Sequence, residues 1–138
     1  MKNKKARSFV VIMIIIALSA LALRMLVSEV ISVSCSQNES NAQSTIKLIS
    51  AALENYAKDN QGVYPPKISV LIQPKSAYLD KDYITQSPLK GYSYNCSRLD
   101  ATGYKCYASP TKCKLTGKVV FSVTTGSLLI SEDCAAKE

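Results

Sequence analysis

The stretch Phe9–Leu23, FVVIMIIIALSALAL, contains no charged residue and follows a short basic tip. As an α-helix it would be roughly 22 Å long, shorter than the ~30 Å hydrocarbon core of a bilayer. Extending the helix to Val27, with the Arg24 side chain reaching towards the headgroups, brings it close to a full span. No later segment is comparably apolar over such a length, so the sequence predicts a membrane-directed N-terminus. The basic tip consists of Lys2, Lys4, Lys5 and Arg7.

The part of the 138-residue chain that follows the apolar segment and the helix after it is small for an independent hydrophobic core. Bodies of this size often need covalent staples, and four of the five cysteines cluster in the last third of the chain. These are Cys96, Cys106, Cys113 and Cys134. Because the chain has no histidine and no C-x-x-C pair, we expect no metal site and no cofactor. An export segment followed by clustered cysteines predicts an oxidising compartment and two disulfides, with Cys35 left over.

The net charge of +7 raises the question of a nucleic-acid partner. Four of the seventeen basic residues lie in the first seven positions, where positive charge orients a protein in the membrane. The other thirteen face ten acidic residues, and no dense basic run remains. We therefore expect no nucleic-acid partner. Because the sequence also has no histidine, no G-x-S-x-G and no phosphate-cradling loop, we expect no enzymatic activity and no small-molecule substrate.

The N-terminus allows three fates. Ala20-Leu21-Ala22 has the small-x-small pattern that precedes signal-peptidase cleavage. The apolar helix can also remain as an uncleaved anchor with its basic end in the cytoplasm. A third possibility is a cut between Ser8 and Phe9, which leaves a mature chain that begins with its apolar helix.

The segment from Met25 to Asn60 contains neither proline nor glycine, and its second half has an apolar face at helical spacing. That face consists of Ile46, Ile49, Leu53 and Tyr56. On the other side of the helix, Glu54 and Lys58 have the spacing of an i,i+4 ion pair. The serine- and asparagine-rich section Ser32–Ser44 is a poor helix former, which leaves two possibilities: it bends or frays, or it stays helical and Phe9–Asn60 forms one rod.

The last third of the chain has the period of two that is typical of strands. Two alternating segments starting at Tyr92 and Gly103 predict a hairpin, KVVFSVTT predicts a third strand, and Ser127–Ser131 predicts a fourth. These strands would form an antiparallel meander of three or four strands with one apolar face, which the apolar helix face can cover. The predicted fold is α+β, a long N-terminal helix packed on this sheet.

The meander selects one of the three possible cysteine pairings. Cys96 and Cys106 fall on the same face of the first hairpin, whereas Cys113 and Cys134 flank strands three and four at the same end. The selected pairs are therefore Cys96–Cys106 and Cys113–Cys134. Before the hairpin, Asp80 and Asp82 form a D-x-D, for which we expect a solvated turn rather than a calcium site.

Taken in order, these segments resemble type IV pilin-like proteins and the pseudopilins of type II secretion systems. The resemblance is carried by the basic leader before Phe9, by NESNAQSTIKLISAALENYAKDNQGVYP, by GYSYNCSRLDATGYKCYASP and by LTGKVVFSVTTGSLLISED. It implies a leader at 1–8, a transmembrane and assembly helix at 9–27, an amphipathic continuation at 28–60 and a globular head at 61–138. It also implies cleavage between Ser8 and Phe9 by a prepilin peptidase, followed by methylation.

Three positions depart from the family pattern. Its leader usually ends in glycine, where this chain has Ser8, and its fifth mature residue is usually glutamate, where this chain has Met13. Arg24 adds a charge to the packing segment, which extends from Phe9 to Val27, and we interpret it as snorkelling to the membrane surface. The absence of the glutamate is shared with some pseudopilins that sit at a filament tip.

The resemblance predicts a non-enzymatic subunit of a pilus or secretion pseudopilus, anchored in the bacterial inner membrane with its N-terminus cytoplasmic and its head periplasmic or extracellular. Its partners would be other pilin or pseudopilin subunits. The alternative is a secreted or anchored disulfide-stabilised binding module with no filament role. The sequence does not distinguish secretion, motility and DNA-uptake systems.

Overall fold

The computed structural model describes residues 2–74 and 77–137, and it describes the side chains of residues 7–74 and 77–136. It contains one long N-terminal helix, α1 (Lys2–Asp59), followed by a four-stranded antiparallel sheet. Two short 3-10 helices, Ile68–Ile72 and Cys134–Lys137, lie before and after the sheet. This arrangement confirms the predicted α+β fold. The chain divides into two compact units, Met1–Val33 and Ser34–Glu138.

The first unit is helical throughout its described length. It contains neither proline nor glycine, the residues that most often interrupt a helix. Two of its serines satisfy their hydroxyls on the helix itself, because Ser19 donates to the Ile16 carbonyl at 2.9 Å and Ser28 donates to the Met25 carbonyl at 2.8 Å. Such back-bonding lets a serine lie in apolar surroundings without an orphaned hydroxyl.

Of the two possibilities for Ser32–Ser44, the structure has the helical one, since α1 continues without interruption to Asp59. Within the second unit, contacts to the body hold this poor helix former in place. Asn38 donates its side-chain amide to the Thr116 carbonyl at 2.9 Å, and Glu39 accepts the backbone N–H of Lys118 at 2.7 Å. Tertiary packing here outweighs a weak intrinsic propensity.

The end of α1 is set by a backbone reversal. Gln61 has a φ of 58° and Gly62 a φ of 84°, and the Gly62 N–H returns to the Ala57 carbonyl at 2.7 Å. This bond satisfies one of the carbonyls that a helix end leaves without a partner.

The sheet is a meander with strand order β1-β2-β3-β4. Its strands are β1 (Tyr92–Asp100), β2 (Gly103–Pro110), β3 (Val119–Thr124) and β4 (Leu128–Asp133). The fourth strand begins one residue later than predicted and runs two residues further. The register of β1 on β2 shifts once, between Cys96 and Arg98, where a bulge interrupts the ladder.

The core of the second unit lies between α1 and one face of the sheet. Alternate residues of β1, β2 and β3 face it, which is the period of two that the sequence shows. Residues of α1 at helical spacing cover that face. The buried core cluster includes Ala42, Ile46, Ile49, Leu53, Leu71, Tyr92, Tyr104, Cys106, Phe121 and Val123.

Candidate functional site

The apolar surface of the first unit is the most unusual feature of the molecule. Every large apolar side chain from Phe9 to Val27 is at least 52% exposed, around the full circumference of the helix. A helix that is apolar on all sides is not stable in water and requires lipid or other helices around it. Among the described residues, one helix is long and apolar enough to cross a membrane, with a mean hydropathy of 2.8 in its most apolar window.

The predicted assembly residues lie on this exposed surface. Met13 is 54% exposed and Val27 57% exposed, and both are flanked by further aliphatic side chains. Arg24 is exposed, with Glu29 as the next charged residue along the helix. The proposed processing bond between Ser8 and Phe9 lies inside α1, and both residues are exposed. Cleavage of this bond remains a prediction.

The predicted helix–sheet contact lies in the second unit. Ile46, Ile49 and Leu53 are fully buried in the core. Tyr56 is only partly buried, and its ring meets the ring of Tyr78 edge-on with 5.6 Å between the centroids. These four residues therefore lie on the face of α1 that covers the sheet.

The role assigned to Glu54 by the i,i+4 pattern is wrong. Instead of facing outwards towards Lys58, its carboxylate accepts hydrogen bonds from the Tyr104 hydroxyl at 2.8 Å, the Tyr64 hydroxyl at 3.0 Å and the Gly126 N–H at 2.7 Å. Burial raises the pKa of Glu54, but these hydrogen bonds outweigh it and hold the pKa below its ordinary value of 4.5. The carboxylate thus connects α1 to β2 and to the β3–β4 turn.

Ser50 extends this polar contact. Its hydroxyl lies 2.9 Å from the Tyr104 hydroxyl and donates to the Ser127 hydroxyl at 2.8 Å. Ser50 is 2% exposed, so its hydroxyl has exchanged water entirely for these two partners. Sequence reasoning missed this residue, because a serine within an alanine-rich helix carries no signal for contacts that lie 54 and 77 residues further along the chain.

Two disulfides close the second unit, and they are the two pairs that the meander argument selects. Cys96 and Cys106 are directly opposite each other in the register of β1 and β2. Cys113 and Cys134 join the loop before β3 to the residue after β4. Asp133 lies next to this second pair, but both sulfur atoms are consumed in the disulfide and do not supply thiolate ligands to a metal.

Cys35, the fifth cysteine, is a free thiol and is 2% exposed. It lies against the loop before β3, with its sulfur 3.2 Å from the Leu115 carbonyl oxygen and 3.7 Å from that of Lys114. The thiol is therefore packed within its own chain, where a second molecule does not reach it.

The D-x-D before β1 builds a turn, as expected. Asp82 accepts the backbone N–H groups of Ile84 at 2.9 Å and Thr85 at 3.1 Å, and Asp80 accepts the Tyr83 hydroxyl at 2.9 Å. Both carboxylates thus have a structural role in organising the loop.

Comparison with known proteins leaves the family open. No family model, no curated protein and no solved structure matches this chain. The pilin-like resemblance therefore rests on the sequence segments and on the fold alone.

Proposed function

We propose that this chain is a membrane-anchored, pilin-like structural subunit that assembles into a secretion pseudopilus or a pilus through its apolar helix. The observation that carries the proposal is the exposed apolar surface from Phe9 to Val27 on a chain that also folds a disulfide-closed α+β unit. An α-helix of this length, about 28 Å, matches the hydrocarbon core of a bilayer.

The mechanism is mechanical rather than chemical. The apolar helix stores the subunit in the membrane and then packs against the helices of other subunits as the filament grows. Small residues such as Ala17 and Ala20 support this step, because helices in lipid associate where their backbones approach closely. The basic tip places the N-terminus in the cytoplasm, and the two disulfides fit an oxidising compartment on the other side.

Met13 favours a minor or tip subunit over a major one. A carboxylate at this position could neutralise the N-terminal amine of a neighbouring subunit inside an apolar bundle. Methionine offers no such charge, and an unpaired amine buried in the bundle costs several kcal/mol. A subunit at the end of a filament has fewer neighbouring subunits whose N-terminal amines need a carboxylate partner. The methionine is therefore tolerated best at that position.

The test is the intact mass and N-terminal sequence of the protein recovered from its native membrane. A chain that starts at Phe9 supports the proposal, and a methylated amine strengthens it. As a matched variant, Ser8→Gly introduces the glycine that usually precedes the cleavage site in pilin-like proteins, and it should increase the fraction of chains cleaved before Phe9. Co-purification with filament subunits, lost when Ile15→Arg breaks the apolar surface, would establish assembly.

Two outcomes contradict the proposal. A chain that starts at Leu23 has lost the assembly helix, which leaves a secreted module with no filament role. Retention of Met1 in both the wild type and the Ser8→Gly variant indicates a permanent anchor.

A further inference from the structure

A small pocket in the second unit brings two lysines to one opening. It lies between α1, the loop before β1, and β1 itself, and its volume is about 180 Å³. Polar and aromatic side chains form most of its wall, namely Asn41, Thr45, Lys81, Tyr83, Lys90 and Tyr94. Three parts of the chain thus converge on a space that none of them fills.

Neither lysine forms an ion pair with a carboxylate among the described residues. The Lys90 ammonium lies 3.5 Å from the side-chain oxygen of Asn41, and the Lys81 ammonium lies 5.0 Å from the centroid of the Tyr83 ring. Within the described part of the chain, the ion pair that forms is Arg98–Asp100, away from this pocket. Two lysines therefore line one cavity, and neither forms an ion pair with a described carboxylate.

The acidic residues nearest to Lys81 in the sequence, Asp80 and Asp82, are held by hydrogen bonds in the loop, and neither lines the pocket. Asp80 accepts the Tyr83 hydroxyl, and Asp82 accepts two backbone N–H groups of its own turn. No carboxylate is among the described residues that line the pocket. The charged side chains of the described wall are therefore both cationic, and a partly enclosed cavity strengthens their attraction for an anion compared with an open surface.

The other groups of the wall define the size and shape of a ligand. Asn41 turns its oxygen to Lys90, which leaves its amide N–H groups as donors, whereas the Thr45 hydroxyl bonds to Tyr94 within the wall. Leu89 and the edge-on rings of Tyr83 and Tyr94, 6.3 Å apart, supply apolar surface. The volume compares with that of a cavity of about 150 Å³ that holds benzene.

We propose that this pocket binds a small organic oxyanion, a carboxylate or phosphate on a body of about six heavy atoms, with its charge between Lys81 and Lys90. The inference does not depend on filament assembly. It adds a ligand to a chain whose sequence gives no sign of one.

The probe is benzoate, with neutral benzamide as its isosteric control. Both are titrated, up to about 20 mM, into the full chain in detergent micelles, while the NMR resonances of Thr45, Tyr83 and Tyr94 are followed. We expect saturable shifts at these residues with benzoate and at least about tenfold weaker effects with benzamide, because the two compounds differ chiefly in charge. Equal effects from both compounds would indicate partition into the micelle and overturn the proposal.

A charge-matched pair of variants locates the site. The Lys81→Met/Lys90→Met variant keeps both apolar stems and should weaken benzoate binding about tenfold or more. The Lys105→Met/Lys112→Met variant removes the same charge from exposed positions outside the pocket and should leave binding within about twofold. Unchanged binding in the first variant, or the absence of any saturable shift in the wild type, would also overturn the proposal.

The same spectra identify the source of the oxyanion. If an acidic side chain of a second copy occupies the pocket, the Tyr83 and Tyr94 resonances should move with protein concentration before any ligand is added, and benzoate should reverse the movement. If the ligand is a free metabolite-sized anion, these resonances should be independent of protein concentration and should respond to benzoate alone. Either pattern supports an oxyanion pocket.

Discussion

The Glu54 carboxylate and the Tyr104 hydroxyl lie 2.8 Å apart and connect the middle of α1 to β2. The same carboxylate oxygen accepts the Gly126 N–H from the β3–β4 turn. Because burial and the Glu54 hydrogen bond raise the pKa of Tyr64 to about 12, this second phenol remains a neutral donor to Glu54 over the physiological range. One acidic side chain thus organises three segments that are far apart in sequence.

Glu54→Gln should lower the free energy of unfolding by about 1–3 kcal/mol. The neutral amide oxygen accepts hydrogen bonds less strongly than a carboxylate, and the amide NH₂ group is a donor placed against groups that also donate. Urea unfolding of the full chain in micelles, followed by near-ultraviolet circular dichroism, reports this unit specifically, since all eight tyrosines lie between residues 56 and 107. Lys47→Gln, an exposed change on the same helix, is the control and should be neutral.

The Glu54 contribution should also depend on pH. Its pKa in the folded chain lies below the ordinary 4.5, so the stabilisation is complete above the unfolded-state pKa and is lost as the pH falls through the folded-state pKa. The difference in stability between the wild type and Glu54→Gln should therefore be constant from neutral pH to about pH 5 and shrink below 4.5. A difference that stays the same in acid would show that the carboxylate charge is not responsible.

Leu53 and Leu48 provide a matched test of the helix–sheet interface. Leu53 is fully buried in the core, whereas Leu48, on the same helix, is 44% exposed. Leu53→Ala should destabilise the second unit by about 2–5 kcal/mol through lost burial and a cavity. Leu48→Ala should change stability by less than about 1 kcal/mol, measured by the same urea titration. Comparable losses in both variants would show that Leu48 is also buried in the folded chain, which contradicts its exposed position on α1.

Cys35 should be inert in the native protein. Its thiol is 2% exposed and lies against the Leu115 carbonyl, so a maleimide should label it only after denaturation. The matched control is Ser34→Cys in a Cys35→Ser background, which moves the thiol to an exposed neighbouring position and should restore rapid labelling. On a non-reducing gel the wild type should remain monomeric. A dimer band that disappears in Cys35→Ser would instead establish an intermolecular disulfide.

The parts of this fold that the sequence predicts are those governed by periodicity. The face of Ile49 and Leu53 follows the helical repeat, and the alternation around Tyr92 and Cys106 follows the strand repeat, because burial on one side selects apolar residues at that spacing. Cysteine pairing followed from strand order for the same reason. These features depend on local pattern and on connections between neighbouring elements.

The contacts that the sequence does not predict join residues with no shared repeat. The partners of Glu54 lie 10, 50 and 72 residues further along the chain, and the local i,i+4 pattern pointed to Lys58 instead. Asn38 likewise holds an unfavourable helical segment through a contact 78 residues away. The pocket lined by Lys81 and Lys90 is also not predictable from a local pattern, since it exists only where α1, a loop and β1 meet.

Gly117 should tolerate no side chain, because a Cβ there would collide with the hydroxyl and ring of Tyr92. Tyr92 is fully buried and donates its hydroxyl to the Val119 carbonyl at 2.7 Å, so it has no room to move aside. Gly117→Ala should therefore lower the free energy of unfolding by about 3 kcal/mol.

Gly62→Ala is the control for Gly117→Ala, since a Cβ at Gly62 meets open space and only its φ of 84° opposes the substitution. Its loss should be about 1 kcal/mol, the strain of a left-handed alanine. Adding Tyr92→Phe to Gly117→Ala removes the hydroxyl nearest the new methyl group and should recover part of the lost stability, so that the two changes are not additive. Equal losses at the two glycines, or strictly additive effects in the double variant, would mean that the Gly117–Tyr92 contact is not what excludes a side chain.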